Sequence, residues 1–395
     1  MRDRHVYIIG KSGMGKSTLM LQMIRQDIAN GKGVGVIDPH ADLVRNVLRY
    51  VPQSRVKDTI LFDAESLPIG LNFFNAKTDA EKELISDDVI VLFKRLSDSW
   101  GERMDMVLRY TVRTLAEVAG ATFLDIYRML ADDYFRDTVL RQVRLQPLLQ
   151  FWREVYPKFP HPVTEQPILS RMGKFAVNST LRTIVGTASS LNFFDVMQQG
   201  KILLCNISKA AVGTDTSAIL GAMLVSQFQL AAMRRGRLHP SKRRPFYLFI
   251  DEFQTFQTSA FNEIITESRK YQLCLTLANQ KLEDLDQKTR GAAQGAETTI
   301  VFRPYEHEAA TLAKWLPEKF GPETLKDLDK LEFVIRAGKA SNTKRCHLEF
   351  PPPPPKGYVE EIKAATRAAY PLAPAPDLQA VTAPSDEVEA GPPPG

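Results

Sequence analysis

Residues 7–20, YIIGKSGMGKSTLM, place two glycines, a lysine and a hydroxyl residue in the order G-x-x-x-x-G-K-[ST], directly after an apolar run that starts at Val6. These residue types suit a phosphate chain. Glycine lets consecutive backbone N–H groups turn inward around an anion, so Gly10, Lys11, Ser12, Gly13, Met14, Gly15, Lys16, Ser17 and Thr18 form the expected cradle, a P-loop. Lys16 reaches the β and γ oxygens, Ser17 offers its hydroxyl to Mg²⁺, and the helix opening near Thr18 directs its positive end at the same anion. ATP and Mg²⁺ are the expected ligands.

Further residues with chemical capacity follow apolar runs. In an open parallel sheet, ligands bind at the carboxyl ends of the strands, so polar residues just after such runs are expected on one rim. Asp38 follows GVGVI, Asp251 and Glu252 follow FYLFI, and Asn279 and Gln280 follow LCLTLA. An apolar strand ending in an acid has the Walker B form, in which Asp251 would hold Mg²⁺ through its water shell. Glu252 would polarise the attacking water. Gln280, with an amide that offers donor and acceptor together, would engage the γ-phosphate and the water. Asp38 has two open readings, tuning the site or capping the helix that begins in PHADL. His40 reads as a turn residue, and Asn279 carries no assigned role.

The elements that must position these groups are legible in the patterning. Residues 1–78 alternate short apolar runs with helical or turn-rich stretches, the signature of βαβ units and a parallel sheet. Residues 79–195 carry helical periodicity instead, as in MVLRYTVRTLAEVA, and read as an all-helical insertion. The α/β pattern resumes over 196–350 with KILLCNI, FYLFIDE, QLCLTLANQ and TTIVFR, so the expected sheet is split in sequence. Residues 351–395 open on PPPPP, are poor in bulky apolar residues, and read as a disordered Pro-rich tail.

Composition narrows the classes. The chain has 395 residues, 44% hydrophobic and 25% charged, and the values are ordinary for a soluble protein. Three well-separated cysteines suit free thiols in a reducing compartment, not a disulfide framework or a metal cluster. No signal peptide or membrane-spanning run is evident, so a cytoplasmic protein is expected. The net charge is +5, with −3 contributed from Lys356 onward; the mildly basic body suits a polyanionic partner.

GKSGMGKST, VIDPHADL, the long helical stretch, FYLFIDEFQTF and ITESRKYQLCLTLANQKLEDL, in this order and spacing, resemble the HerA/FtsK class of RecA-like motor ATPases. Within that class they look most like the type IV secretion and conjugation coupling proteins of the TraG/TraD/VirD4 type and their soluble relatives. The resemblance covers residues 1–345 and implies a RecA-like fold, a homohexameric ring, DNA as substrate, and a relaxase or secretion-channel component as further partner. It also implies a role for Arg269. That residue precedes the strand whose far end carries Gln280, and nine strand residues place it roughly 30 Å from its own nucleotide. In a ring it would enter the neighbouring site as an arginine finger. Arg303 is the alternative finger, and Lys270 an assistant. Coupling proteins carry membrane helices before the P-loop, whereas here nine residues precede Gly10.

Arg234, Arg235, Arg237, Lys242, Arg243 and Arg244 crowd into eleven residues, a charge density suited to DNA phosphates or to a solvated loop. The combined expectation is an ATP-hydrolysing DNA translocase or coupling motor. A VirB4-like secretion ATPase acting on protein and a nucleotide-switched assembly platform are the alternatives.

Overall fold

The short apolar runs become strands buried on both faces, as a parallel sheet covered by helices requires. The computed structural model describes residues 4–74, 76, 78–95, 100–160, 164–187, 191–256, 264–265, 268–354 and 356–371. Its strands are β1 (Val6–Ile9), β2 (Gly33–Asp38), β3 (Thr59–Asp63), β4 (Ile202–Asn206), β5 (Phe246–Ile250), β6 (Leu273–Asn279), β7 (Thr298–Phe302), β8 (Glu332–Ala337) and β9 (Thr343–His347). They form one sheet in the order β3-β4-β2-β5-β6-β1-β7-β8-β9. Neighbours from β3 to β7 pair parallel, and β8 and β9 extend the sheet antiparallel. The parallel part is the RecA-like P-loop arrangement; the antiparallel pair is an addition not read from the sequence.

Register brings the strand ends together. Ile9 stands beside Asn279 and Val301, and Ile37 beside Ile250. One strand, β6, therefore separates the P-loop strand from the strand that ends at Asp251.

Side chains alternate between two cores, as strand geometry dictates. Val6 and Ile8 pack with the P-loop helix Lys16–Ala29 and with helix Asp42–Arg49. Tyr7 and Ile9 face the other core. Between β3 and β4 the described residues form helices and single turns. Their apolar side chains do not close on themselves: Phe93, Phe123 and Phe175 join a continuous core with Phe228 of the long helix Thr214–Arg235 and Phe246 of β5. That long helix is apolar and long enough to cross a membrane, yet 83% of its apolar window is buried inside this fold.

The tail needs correction. Residues 359–369, expected to be disordered, form helix Val359–Ala369. Ile362 is buried against the P-loop helix side of the sheet, and Thr366 Oγ1 accepts 3.2 Å from the Leu61 amide of β3. The four-residue spacing of these two positions makes one helical face, and the prolines lie before and after it, where they interrupt nothing. Residues 372–395 of the expected tail lie outside the described residues.

Candidate functional site

The P-loop is held from the β7–β8 side. Lys11 N–H donates 2.9 Å to the Arg303 carbonyl, and Leu331 N–H donates 2.9 Å to the Met14 carbonyl. Phe302 and Leu331 press so close that a Cβ on Gly10 would meet Phe302 Cβ at 2.6 Å, and one on Gly15 would meet Leu331 Cδ2 at 2.8 Å. Only glycine fits at these two positions. Lys16 is buried and donates to the carbonyls of Gly10 (2.7 Å) and Lys11 (3.1 Å). Burial pulls its ammonium below the usual lysine range, and the carboxylates of Glu252 and Asp251 pull it back up.

Four sequence-predicted residues join into one chain of hydrogen bonds. Ser17 Oγ donates 3.3 Å to Asp251 Oδ2, and the Glu252 N–H donates 3.0 Å to Asp251 Oδ1. Gln280 Nε2 donates 2.8 Å to Glu252 Oε1, while Gln254 Nε2 donates 2.6 Å to Glu252 Oε2. Glu252 has φ 47°, a left-handed conformation rare for a residue with a side chain. The turn lets Asp251 and Glu252, adjacent in sequence, both serve one cleft.

Asp251 is buried, and burial, then the Glu252 and Asp38 carboxylates, push its pKa up to about 7 while Lys16 opposes them. One hydroxyl and neighbouring carboxylates, with excess negative charge in a buried place, fit Mg²⁺. Asp38 itself accepts from the N–H groups of His40 (2.8 Å) and Val44 (3.0 Å), so it does cap the helix Asp42–Arg49 while bordering the same cleft. His40 lies in the turn that Asp38 organises.

The cleft has a volume of about 540 Å³ and includes three residues that sequence reading missed, Lys330, Leu331 and Phe350. They reach it through the β8–β9 pair, whose strands are less buried than the others and of which β9, TKRCH, lacks an apolar run. Asn279, without an assigned role, has its amide buried between Tyr7 and the Lys281 carbonyl.

Arg269 is exposed on the turn Ser268–Tyr271, beside β6's amino end. Its charge and, above all, burial pull the His5 imidazole down to about 4, and His5 lies just before β1. Arg269 thus stands at the edge opposite the P-loop, about 23 Å away along the seven residues of β6. Arg303 instead follows β7 on the P-loop's own edge. Lys270 shares the Arg269 turn, and its carbonyl accepts 2.7 Å from Arg243.

The basic run, a candidate for DNA contacts, is largely engaged in bonds within the chain. Arg235 is 0% exposed and donates to the Arg244 carbonyl. Arg243 donates to the carbonyls of Gly236, Leu238 and Lys270, and Arg244 to those of Gln199 and Gly31. Arg234 and Arg237 pair with Glu81 at 3.6 and 3.2 Å. Arg235, Arg243 and Arg244 fasten loops at the amino ends of the strands, and Arg234 and Arg237 tie to the helix Asp79–Arg95. Of the six, Lys242 alone projects as an exposed cation without such a described side-chain tie.

Residues 1–92 match the family model of the central domain of helicase HerA. No curated protein matches the chain in sequence. Among solved structures, the plasmid coupling protein TrwB in complex with ADP and Mg²⁺ is 15% identical, with a TM-score of 0.66 over 89% of this chain and 86% of that one. A trigonal form of the same conjugative coupling protein with sulphate reaches 0.68 at the same identity and coverage. VirB4 of Thermoanaerobacter pseudethanolicus is 14% identical, with a TM-score of 0.58 over 91% of each chain. These matches agree with the resemblance carried by the motifs.

Proposed function

We propose that this chain, with the fold of the HerA/FtsK-class P-loop ATPases, is an ATP-hydrolysing motor that moves DNA as a conjugation or type IV secretion coupling protein does. The observation that carries the reading is the hydrogen-bonded series Ser17, Asp251, Glu252, Gln280, which joins the P-loop, the acid strand and the amide strand in one cleft. Lys16 and the P-loop amides would hold the triphosphate, and Ser17 and Asp251 would hold Mg²⁺, which would supply positive charge to it. Glu252 accepts a proton from the water that attacks the γ-phosphorus, and Gln280 orients that water; the bond to the ADP oxygen breaks and phosphate leaves. Gln280 and Gln254 hold both Glu252 oxygens, so the base is oriented before substrate arrives.

The exposed position of Arg269 at the far edge supports completion of the site by a second copy in a homohexamer, the guanidinium stabilising charge on the transferring phosphoryl group. The proposed setting is cytoplasmic, with relaxase or secretion-channel partners. Streptavidin stripping from biotinylated single- or double-stranded DNA tests the motor reading. ATP-dependent stripping that Glu252→Gln abolishes is expected. ATP hydrolysis without stripping of either form overturns DNA movement and favours a VirB4-like action on protein or an assembly platform.

A further inference from the structure

The cleft floor is polar, yet its outer wall ends in an aromatic ring. Phe350 is 66% exposed and borders the same cleft as the P-loop. A lone exposed aromatic is ordinary on a protein surface. This one is held in place on both sides, by the P-loop helix and by segments packed against the P-loop and its neighbouring helix.

Upstream, the Leu348 N–H donates 2.8 Å to the carbonyl of Leu331, whose own N–H holds the P-loop at Met14. Next to the ring, Gln22 of the P-loop helix donates to the Glu349 carbonyl. Downstream, Tyr50 Oη donates 2.7 Å to the Pro352 carbonyl, and the Arg25 guanidinium lies 4.2 Å from the Tyr50 ring centre. The docked helix Val359–Ala369 fastens the strap beyond these anchors. A run of prolines stiffens the chain between them, so little conformational entropy is left for a ligand to remove.

The two ends of the cleft differ in chemistry. Glu252 and Gln280 define the end where the terminal phosphate reacts. Thr18 and, one turn on, Gln22 lead along the P-loop helix to Phe350. We infer that the strap Leu348 to Pro352 is the base shelf of the nucleotide site, with the purine ring of ATP stacked on Phe350. The assignment rests on the ATP reading above. Stacking of this kind recognises a flat base without hydrogen bonds to its edge, so it adds affinity without requiring a particular purine.

Binding of two probes to the full chain with Mg²⁺ tests it: the non-hydrolysable analogue AMPPNP, which has a base, and inorganic tripolyphosphate, which has none. Phe350→Ala is expected to weaken AMPPNP about 5- to 150-fold and leave tripolyphosphate unchanged, with Phe350→Trp retaining AMPPNP binding. Equal losses for both probes, or no loss for either, overturn the assignment. A wild-type chain that binds neither probe removes the ATP reading itself, and the shelf with it.

Discussion

The Tyr7 hydroxyl donates a 2.7 Å hydrogen bond to Asn279 Oδ1, joining residues 272 positions apart in the buried centre of the sheet. The other end of that carboxamide, Asn279 Nδ2, donates 2.6 Å to the Lys281 carbonyl. The amide therefore brackets Gln280 on both sides and ties it to the strand that carries the P-loop. Tyr7 also meets Phe253, the residue after Glu252, edge to face at 6.2 Å. Burial, then the Glu308 carboxylate, raise the phenol well above its ordinary range, so it remains a neutral donor at any working pH.

Tyr7→Phe keeps the ring and removes the hydroxyl, leaving the Asn279 oxygen buried and unpaired. The expected cost is about 1–3 kcal/mol of stability, read by denaturant unfolding. ATP turnover is expected to fall while AMPPNP affinity holds. In a Gln280→Ala background the same change should lower turnover no further; additive losses would show that the pair acts elsewhere.

Glu252→Gln and Gln280→Ala separate binding from chemistry. Loss of the base should lower kcat about 10²- to 10⁴-fold, and loss of the orienting amide about 10²- to 10³-fold. Nucleotide binding, measured directly, should persist in both variants. Loss of binding in step with turnover would place these residues in ground-state recognition instead.

Arg269→Ala should bind ATP yet lose about 10³-fold or more in turnover if the finger acts between subunits. Mixing Arg269→Ala with Glu252→Gln provides the sharper readout. Some interfaces then pair an intact Glu252 with an intact Arg269, and activity should reappear. Two inactive proteins that stay inactive when mixed, while co-assembling, would exclude action in trans.

His5 gives the fold a titration at low pH. Its Nδ1 accepts 3.0 Å from the Leu275 amide, and burial with Arg269 nearby lowers its pKa from 6.5 to about 4. Between those values His5 binds fewer protons in the folded chain than in the unfolded one, so its own contribution to stability rises with pH, while Asp251, raised to about 7, contributes the opposite slope. The His5 contribution, about 2–3 kcal/mol, is complete above pH 6.5 and lost as pH falls toward 4. Urea unfolding of the wild type and of His5→Gln from pH 4 to 7 isolates it: the stability difference between the two should grow as pH rises.

The candidate cleft was legible where polar residues directly follow apolar runs. Asp251, Glu252 and Gln280 follow such runs, Lys16 is marked by its glycine motif, and parallel topology brings them together. Leu331 and Phe350 have none. Their place depends on β8 and β9 folding back antiparallel on β7, and strands with patterns such as TKRCH carry too little apolar signal to reveal it. The run from Arg234 to Arg244 shows the same limit. Charge density is visible in a sequence, whereas the carbonyls that Arg243 and Arg244 bind come from distant loops. Val359–Ala369 was hidden by composition, since the prolines on either side outweigh one short amphipathic face.

Steady-state ATP turnover of the full chain, with Mg²⁺ at low salt, without nucleic acid and with single- or double-stranded DNA, tests the central claim most directly. The account predicts turnover that requires Glu252 and rises several-fold with at least one form of DNA. Absence of turnover, or turnover unchanged by both forms, would contradict it.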